Sequence, residues 1–216
     1  MDGVKYDRYP VKTKVVVEGD SIPDVAAEFA APFMSEGDIL FISEKCVACS
    51  QKRAIPLVDI HPRPLAKFLC KFVYKSPYGI GLRIPETMEM ALRECGTFKI
   101  LWAAFISAMG KMVGKRGLFY DVAGPKARSI DGPTPYTLPP YNKCVVLGPK
   151  DPDGVAKETA EKIGHKVCVI DVNDIDGQIL GVSDPSMDKE LLVKILKDNP
   201  LGQSAQQTPM GIIRKV

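Results

Sequence analysis

Residues 166–181, KVCVIDVNDIDGQILG, decide the interpretation of the fold, because an apolar run there ends abruptly in acidic residues. Residues 167–170 are apolar at every position, which is typical of a strand that is covered on both faces. Asp171, Asp174 and Asp176 follow directly. We predict a buried strand that presents these three carboxylates in one short turn at its tip.

Two interpretations of this acidic turn are open. Carboxylates at such short spacing repel one another unless a cation or a basic side chain compensates, and a hard cation such as Mg²⁺ prefers oxygen ligands of this kind. Asp and Asn are also favoured in solvated turns, where their side chains hydrogen-bond to the nearby backbone. The residues alone therefore predict either a metal site or an ordinary turn.

The composition limits the class of protein. The chain has 216 residues, of which 45% are hydrophobic and 25% charged, as in an ordinary globular protein. A net charge of +3, with no segment in which aromatic and basic residues alternate, argues against a nucleic-acid-binding protein. Residues 1–10 lack the apolar core of a signal peptide, and the most hydrophobic stretch, 100–109, is too short to span a bilayer. We expect a cytoplasmic protein with no membrane partner.

The chain has six cysteines, and without a secretory signal a disulfide framework is not expected. Cys46 and Cys49 form an isolated Cys-x-x-Cys motif. No second pair and no suitably spaced histidine completes a zinc site. We interpret both as small buried residues rather than as a metal or redox centre.

Periodicity and turn signals place further elements along the chain. Strands are predicted at 12–17, 39–42 and 143–147, and helices at 22–31, 62–75, 85–96, 97–113, 153–163 and 188–196. The helix at 97–113 contains Trp102 in a mostly apolar run, and we predict that it is buried. The strand at 143–147, the helix at 153–163 and the strand at 167–170 alternate as β, α, β along the chain.

Basic and amide side chains suggest an anionic ligand. Lys45 directly follows the strand at 39–42. The segment 114–142 is rich in glycine and proline, which excludes a continuous helix, and it contains Arg116 and Lys126. The sequence has no Walker A, dinucleotide, zincin or nucleophile-elbow motif. The carboxylate cluster, the basic glycine- and proline-rich segment and the amide side chains near the C-terminus together favour metal-assisted chemistry on a phosphorylated compound over acyl hydrolysis.

Several segments resemble the coenzyme F420-0:L-glutamate ligases, also called gamma-glutamyl ligases. They are EGDILFI at 36–42, GLFYDVAG at 117–124, LGPKDPD at 147–153, and residues 167–181. The resemblance implies an α+β fold, with a mixed β-sheet core flanked by helices, in a single domain over residues 1–216 with a helical subdomain considered at 62–113. It further implies a homodimer that uses GTP and two divalent cations, Mg²⁺ or Mn²⁺, to activate a carboxylate as an acyl phosphate, which the amine of glutamate then attacks.

The resemblance assigns Asp174, Arg53 and Gly124, and the residue pattern itself suggests the other candidates. Asp174 matches a metal-binding aspartate and is a candidate catalytic residue, together with Lys45 and Arg53. Candidate metal ligands besides Asp174 are Asp171, Asp176 and Asp131, and candidate cofactor-binding residues are Arg116, Gly117, Gly124, Lys126 and Gln203.

Some positions depart from the family pattern. Asn173 and Ile175 replace the hydroxyl residues that flank Asp174, Lys126 occupies an aspartate position, and Gln178 replaces an arginine. Arg116 stands at a histidine position and Cys49 at a lysine position. The leading hypothesis, which comes from the resemblance, is a nucleotide- and metal-dependent amide-forming ligase. The alternatives are a non-catalytic nucleotide- or cofactor-binding protein on the same fold and a different metal-dependent enzyme such as a phosphatase.

Overall fold

The computed structural model describes residues 4–73, 80–115, 117–172, 177–202 and 204–216. The chain divides into two compact units. The sheet unit comprises Met1–Arg53 and Pro149–Val216, and the helical unit comprises Ala54–Gly148. The segment 62–113, considered above as a helical subdomain, lies within the helical unit.

The strands are β1 (Tyr6–Val11), β2 (Ile39–Ser43), β3 (Ala54–Pro56), β4 (Cys144–Val146), β5 (Lys166–Val172), β6 (Gly177–Val182) and β7 (Met210–Lys215). The helices are α1 (Ile22–Phe29), α2 (Glu44–Ser50), α3 (Pro64–Leu69), α4 (Pro85–Cys95), α5 (Thr97–Met112), α6 (Leu118–Ala123), α7 (Pro125–Arg128), α8 (Pro152–Ile163) and α9 (Lys189–Leu196). Short 3₁₀ turns lie at Ala31–Phe33, Leu57–Asp59, Cys70–Phe72, Gly81–Arg83 and Tyr141–Lys143.

The sheet unit is built on a mixed sheet with the strand order β1-β7-β2-β5-β6. Strand β2 pairs with β5 in parallel, and the other neighbours are antiparallel. Val167 and Val169 pack with α1, α2 and α8 on one face, while Cys168 and Ile170 pack with α9 on the other. The predicted strand covered on both faces and the α+β fold class are both confirmed.

The predicted first strand at 12–17 is wrong. The strand is β1, because Tyr6–Val11 pairs antiparallel with β7, a partner near the C-terminus that the sequence interpretation missed. The predicted segment instead makes loop contacts: the Thr13 amide donates to the Gln207 carbonyl (3.2 Å), and the Val17 amide donates to the Asp20 carboxylate (2.8 Å). A β-branched composition favours a strand only where a pairing partner is available.

The predicted alternation of strand, helix and strand is confirmed as β4, α8 and β5, but the two strands belong to different sheets. Strand β4 pairs antiparallel with β3 in a small separate sheet of the helical unit. The parallel neighbour of β5 is β2. Helix α8 precedes β5 as expected and begins after Asp151, whose side chain accepts a hydrogen bond from the Gly154 amide (3.0 Å).

Two helices of the helical unit, α3 and α5, differ from the predictions. The helix predicted at 62–75 is shorter, because α3 ends at Leu69 and continues only as a 3₁₀ turn. Helix α5 forms as predicted but is not buried, since Trp102 is 51% exposed. Its buried residues are Ile100, Ala103 and Gly110, so it packs mainly through small residues and turns its larger side chains outward. Within the described ranges no helix is long and apolar enough to cross a membrane.

A buried ion pair ties the last strand to the start of β2. The Asp38 carboxylate is 3% exposed and accepts hydrogen bonds from Arg214 Nε (3.0 Å) and Nη2 (2.6 Å) and from the Ser35 amide (2.7 Å). The hydrogen bonds from Arg214 outweigh desolvation and lower the pKa of Asp38. The charged form of Asp38 is therefore the one that stabilises the fold.

We expect Asp38→Asn to lower the free energy of unfolding at pH 7 by about 2 kcal/mol, because it weakens hydrogen bonds to a charged partner. Since folding lowers this pKa, the contribution is complete above the unfolded pKa of about 4 and is lost as the pH falls through the folded value. Urea unfolding of both proteins at a series of pH values measures this.

The matched control is Asp198→Asn, which removes the ion pair of Arg8 with an exposed carboxylate and should cost less than about 1 kcal/mol. A difference between parent and Asp38→Asn that stays constant down to pH 2.5 would contradict the assignment.

Candidate functional site

The parallel pairing of β2 and β5 brings two chain segments to one edge of the sheet. Ser43, the last residue of β2, is in register with Ile170, which lies two residues before the end of β5. Strand β2 runs directly into α2, which begins with Glu44 and Lys45, while β5 continues to Asp171. Ligands of open sheets bind beyond the carboxyl ends of parallel strands.

The alternation along β5 shows which face Asp171 occupies. Ile170 and Val172 pack against the cluster that contains α9, so Asp171 lies on the opposite face. Helix α2 packs on that opposite face through Cys46 and Val47. Lys45 and Asp171 therefore lie at the same edge and on the same face of the sheet, and both are half-buried.

Gln178 joins this group from the neighbouring strand. It is the direct antiparallel partner of Asp171, so the two side chains lie side by side on one face. Lys45, Asp171 and Gln178 form the carboxyl edge of the sheet unit. The position at which Gln178 departs from the family pattern is thus adjacent to a candidate metal ligand.

The structure corrects the predicted acidic turn in one respect. Asp171 lies within β5 rather than in the turn, because the ladder with β6 extends through Asp171–Gln178 and Val172–Gly177. Asp174 and Asp176 lie outside the described residues. Among the described residues no group of three acidic, histidine or cysteine side chains is placed to hold a metal. The metal site at Asp174 stays a prediction.

Arg53 lies at the other end of α2 from Lys45. Lys52 adopts a positive φ of 59°, which reverses the chain after the helix, and the Arg53 amide donates to the Ala48 carbonyl (3.0 Å). At about 1.5 Å per residue, α2 separates the backbones of Lys45 and Arg53 by roughly 10 Å. Arg53 is 8% exposed, and a buried guanidinium requires compensating acceptors.

Cys46 and Cys49 are both buried on α2. Burial raises the pKa of the Cys46 thiol well above its usual range, so this thiol stays protonated at neutral pH. A protonated, buried thiol is a poor nucleophile and a poor metal ligand. The environment favours our interpretation of these residues as part of the core.

Gly117, Gly124, Lys126 and Asp131 lie in the helical unit, in a segment that is more helical than predicted. Gly117 and Gly124 have φ near +87°, which favours glycine, and they begin and end α6. Lys126 is exposed on α7. The Asp131 backbone pairs with Val146 through hydrogen bonds of 2.8 and 2.9 Å. Arg116 and Gln203 lie outside the described residues.

Lys99 was not predicted from the sequence but lies at this glycine turn. A Cβ atom on Gly124 would be 3.2 Å from Lys99 Nζ. Burial raises the pKa of Cys95, the charge of Lys99 opposes that shift and the charge of Glu94 adds to it. Lys99 therefore places a cation at the Gly124 turn. In the sequence, Lys99 is an isolated lysine within an apolar run, and nothing there indicated that it would lie at the Gly124 turn.

Comparison with known proteins identifies the family. The F420-0:gamma-glutamyl ligase profile matches residues 10–187, which include β2, α2, β5 and β6. The chain belongs to this family. A protein from Methanopyrus kandleri named coenzyme F420:L-glutamate ligase is 26% identical over 166 residues, which cover 77% of this chain and 56% of that relative. The chain thus spans a little over half the length of this relative of the family.

We expect Cys46 and Cys49 to resist thiol-specific labelling in the native protein at pH 8, whereas the half-buried Cys95 reacts first. Mass spectrometry of labelled peptides, with a denatured sample as the control, measures the order of reaction.

Purified protein should contain zinc well below one equivalent. Stoichiometric zinc that disappears in the Cys46→Ser, Cys49→Ser double variant would overturn the assignment.

Proposed function

We propose that this protein is a GTP-dependent and Mg²⁺- or Mn²⁺-dependent ligase that joins a glutamate-like amino acid to a carboxylate of a cofactor-type substrate. Membership of the gamma-glutamyl ligase family supports the reaction class. The observation that supports the location is the carboxyl edge, where Lys45 and Asp171 come from separate segments to one edge and face. A cation at the same end of the sheet as a candidate metal-binding carboxylate suits a site that handles phosphate.

The proposed reaction has two steps. An oxygen of the substrate carboxylate attacks the γ-phosphorus of GTP, the bond to the GDP oxygen breaks, and an acyl phosphate forms. The amine of the amino acid then attacks the acyl carbon, inorganic phosphate leaves with its bonding electron pair, and the nitrogen loses a proton. Both steps place negative charge on phosphate oxygens, so catalysis consists mainly of positioning and charge stabilisation.

Basic residues supply that stabilisation in our proposal. Lys45 and Arg53 of the sheet unit would neutralise the transferred phosphoryl group. Taken by itself, the helical unit offers Lys126 and Arg116 as candidates for an anionic ligand, and Lys99 lies at its Gly124 turn. The same proposal assigns cofactor contacts to Gly117, Gly124 and Gln203, where backbone and amide groups can donate hydrogen bonds.

The described part of the proposed metal site fits a hard cation, because Asp171 offers carboxylate oxygens at the strand edge. Asp174 would be the principal ligand, with Asp171 and Asp176 assisting and Asp131 as the further candidate. When bound, a divalent cation would shield the phosphate charges and polarise the phosphoryl group.

A non-catalytic binding protein is the second candidate, and two observations favour it. Gln178 places an uncharged amide beside Asp171, at a position where the family resemblance leads us to expect arginine. Lys126 places an ammonium group where it leads us to expect an aspartate. Both changes alter the charge available for catalysis while leaving the fold intact.

We also propose that the protein acts as a homodimer, as the family resemblance implies. The exposed apolar side chains of the helical unit support this part of the proposal on physical grounds.

Phosphate release from GTP separates the candidate activities. With Mg²⁺, coenzyme F420-0 as the carboxylate and glutamate, a ligase should release phosphate only when both substrates are present. A phosphatase would release phosphate without glutamate. Metal-dependent GTP binding without turnover would instead favour the binding protein, and absence of GTP binding would reject the ligase proposal.

We expect Asp174→Asn to weaken metal-dependent GTP binding by about tenfold or more, because it keeps the side-chain shape but removes a charge that the cation requires. The melting temperature should barely change. Calorimetric titration with Mn²⁺ measures the binding, and Glu161→Gln, which neutralises an exposed carboxylate on α8, is the matched control. Equal binding by the variant would move the site to Asp131, and unfolding would mark Asp174 as a structural residue.

A further inference from the structure

Glu89 is a buried carboxylate that two arginines share. It lies on α4 and is 1% exposed. Its oxygens accept hydrogen bonds from Arg63 Nε (3.0 Å), from the Arg63 amide (3.1 Å) and from Arg93 Nε (2.8 Å). Burial acts to raise the pKa of Glu89, but these donors outweigh burial and lower it. The carboxylate is therefore ionised at neutral pH.

The cluster carries more positive charge than the buried carboxylate requires. A single guanidinium is enough to neutralise Glu89, because a buried charge needs one opposite charge and donors for its remaining lone pairs. Here the Nε atoms of Arg63 and Arg93 both lie within 3.0 Å of the same oxygen, Glu89 Oε1. The two cations are therefore neighbours that repel each other, and one positive charge is left over.

The outer part of each guanidinium is open to a ligand. An arginine side chain donates hydrogen bonds through Nε and also through both Nη atoms. Within the described parts of the chain, Arg63 and Arg93 pair with no carboxylate other than Glu89, and their Nη atoms meet no acceptor. Both side chains are 48% exposed. The Nη groups are thus left for solvent or for a bound anion.

The scaffold of the helical unit holds both arginines in place before any ligand binds. Arg63 directly precedes α3, and its amide bond to Glu89 sets the start of that helix against α4. Arg93 lies one turn after Glu89 on α4 itself. Ala66 of α3 and Leu92 of α4 belong to the same buried cluster. A ligand of such a site loses less free energy to the ordering of side chains.

We propose that Arg63 and Arg93 form a phosphate-binding site on the helical unit, with Glu89 as the buried carboxylate that positions them. Two adjacent guanidinium forks suit a phosphate group, because its three terminal oxygens can accept hydrogen bonds from both forks at once. A carboxylate offers two oxygens, which one fork already satisfies. The ligand is inorganic phosphate or a phosphate monoester, which present the same kind of oxygens.

This site is separate from the residues assigned to the proposed ligase. Neither Arg63 nor Arg93 is among them, and both arginines belong to the helical unit, whereas the carboxyl edge belongs to the sheet unit. The proposal therefore does not depend on ligase activity.

NMR of the arginine Nε–H groups in the intact protein tests the proposal. Titration with inorganic phosphate, at an ionic strength held constant with NaCl, should shift the signals of Arg63 and Arg93 in a saturable way. The signal of Arg128, which pairs with the exposed carboxylate of Asp121, is the internal control and should stay in place. Glycerol phosphate in a second titration shows whether the monoester binds more tightly than the free ion. Acetate in a third should bind at least about tenfold more weakly than phosphate, because it has fewer oxygens for the two forks.

Lysine variants test the role of the planar fork. Arg93→Lys keeps the positive charge but replaces the fork by one ammonium group, so phosphate binding should weaken by about tenfold or more. Arg63→Lys should have the same effect, which gives a second variant if one of the two fails to fold. Arg128→Lys is the matched control and should bind phosphate as tightly as the parent. Melting temperatures of all the variants show which of them are folded.

Each opposing result is recognisable. No saturable shift at Arg63 and Arg93 of the parent would show that these arginines serve the fold alone. A shift of Arg128 as large as theirs would mark non-specific screening and reject a built site. Acetate that binds as tightly as phosphate would overturn the phosphate assignment. Loss of Mg²⁺-dependent GTP binding in folded Arg93→Lys would place the arginines in the nucleotide site and overturn a separate one, whereas GTP binding by the parent reports on the ligase proposal.

Discussion

The parallel pairing of β2 with β5, buried between two apolar layers, is the constraint on which the rest of the sheet unit depends. Complete burial of a side chain such as Val169 or Ile170 contributes about 1.5–3 kcal/mol, whereas an exposed ion pair contributes less than about 1 kcal/mol. The apolar layers therefore hold β5 beside β2, in the register that sets Ser43 opposite Ile170. Lys45 and Asp171 reach the same edge as a consequence of that register.

Local signals in the sequence were sufficient to predict the two central strands, β2 and β5. Residues 167–170 and the run at 39–42 are apolar on both faces, which predicted buried strands, and Lys45 and Asp171 follow them in sequence. Non-local pairing was not predictable in the same way. Tyr6 pairs with Lys215 at the opposite end of the chain, so the partner that makes β1 a strand has no nearby signal. Asp171 was assigned to a turn because β6 was not anticipated.

Hydrophobicity predicted that α5 is a helix but not which face is covered. Trp102 was expected inside because tryptophan is largely apolar, yet the core accepts Ile100, Ala103 and Gly110 instead. Small residues allow close packing against α6, since a Cβ at Gly110 would overlap the Leu118 side chain. The exposed face of α5 and the position of Lys99 beside Gly124 both result from tertiary packing. These two features of the helical unit bear most on function.

The central claim is that the carboxyl edge of β2 and β5 holds the metal and the phosphates. Anomalous scattering from Mn²⁺ in crystals grown with GTP tests it most directly, because the peak locates the metal without reference to activity. The account predicts a peak about 2.0–2.6 Å from carboxylate oxygens at this edge, with Asp171 within reach of the cation or of its bound water. A Mn²⁺ peak bound only by residues of the helical unit, such as Asp131, with none at the β2 and β5 edge, would contradict the account.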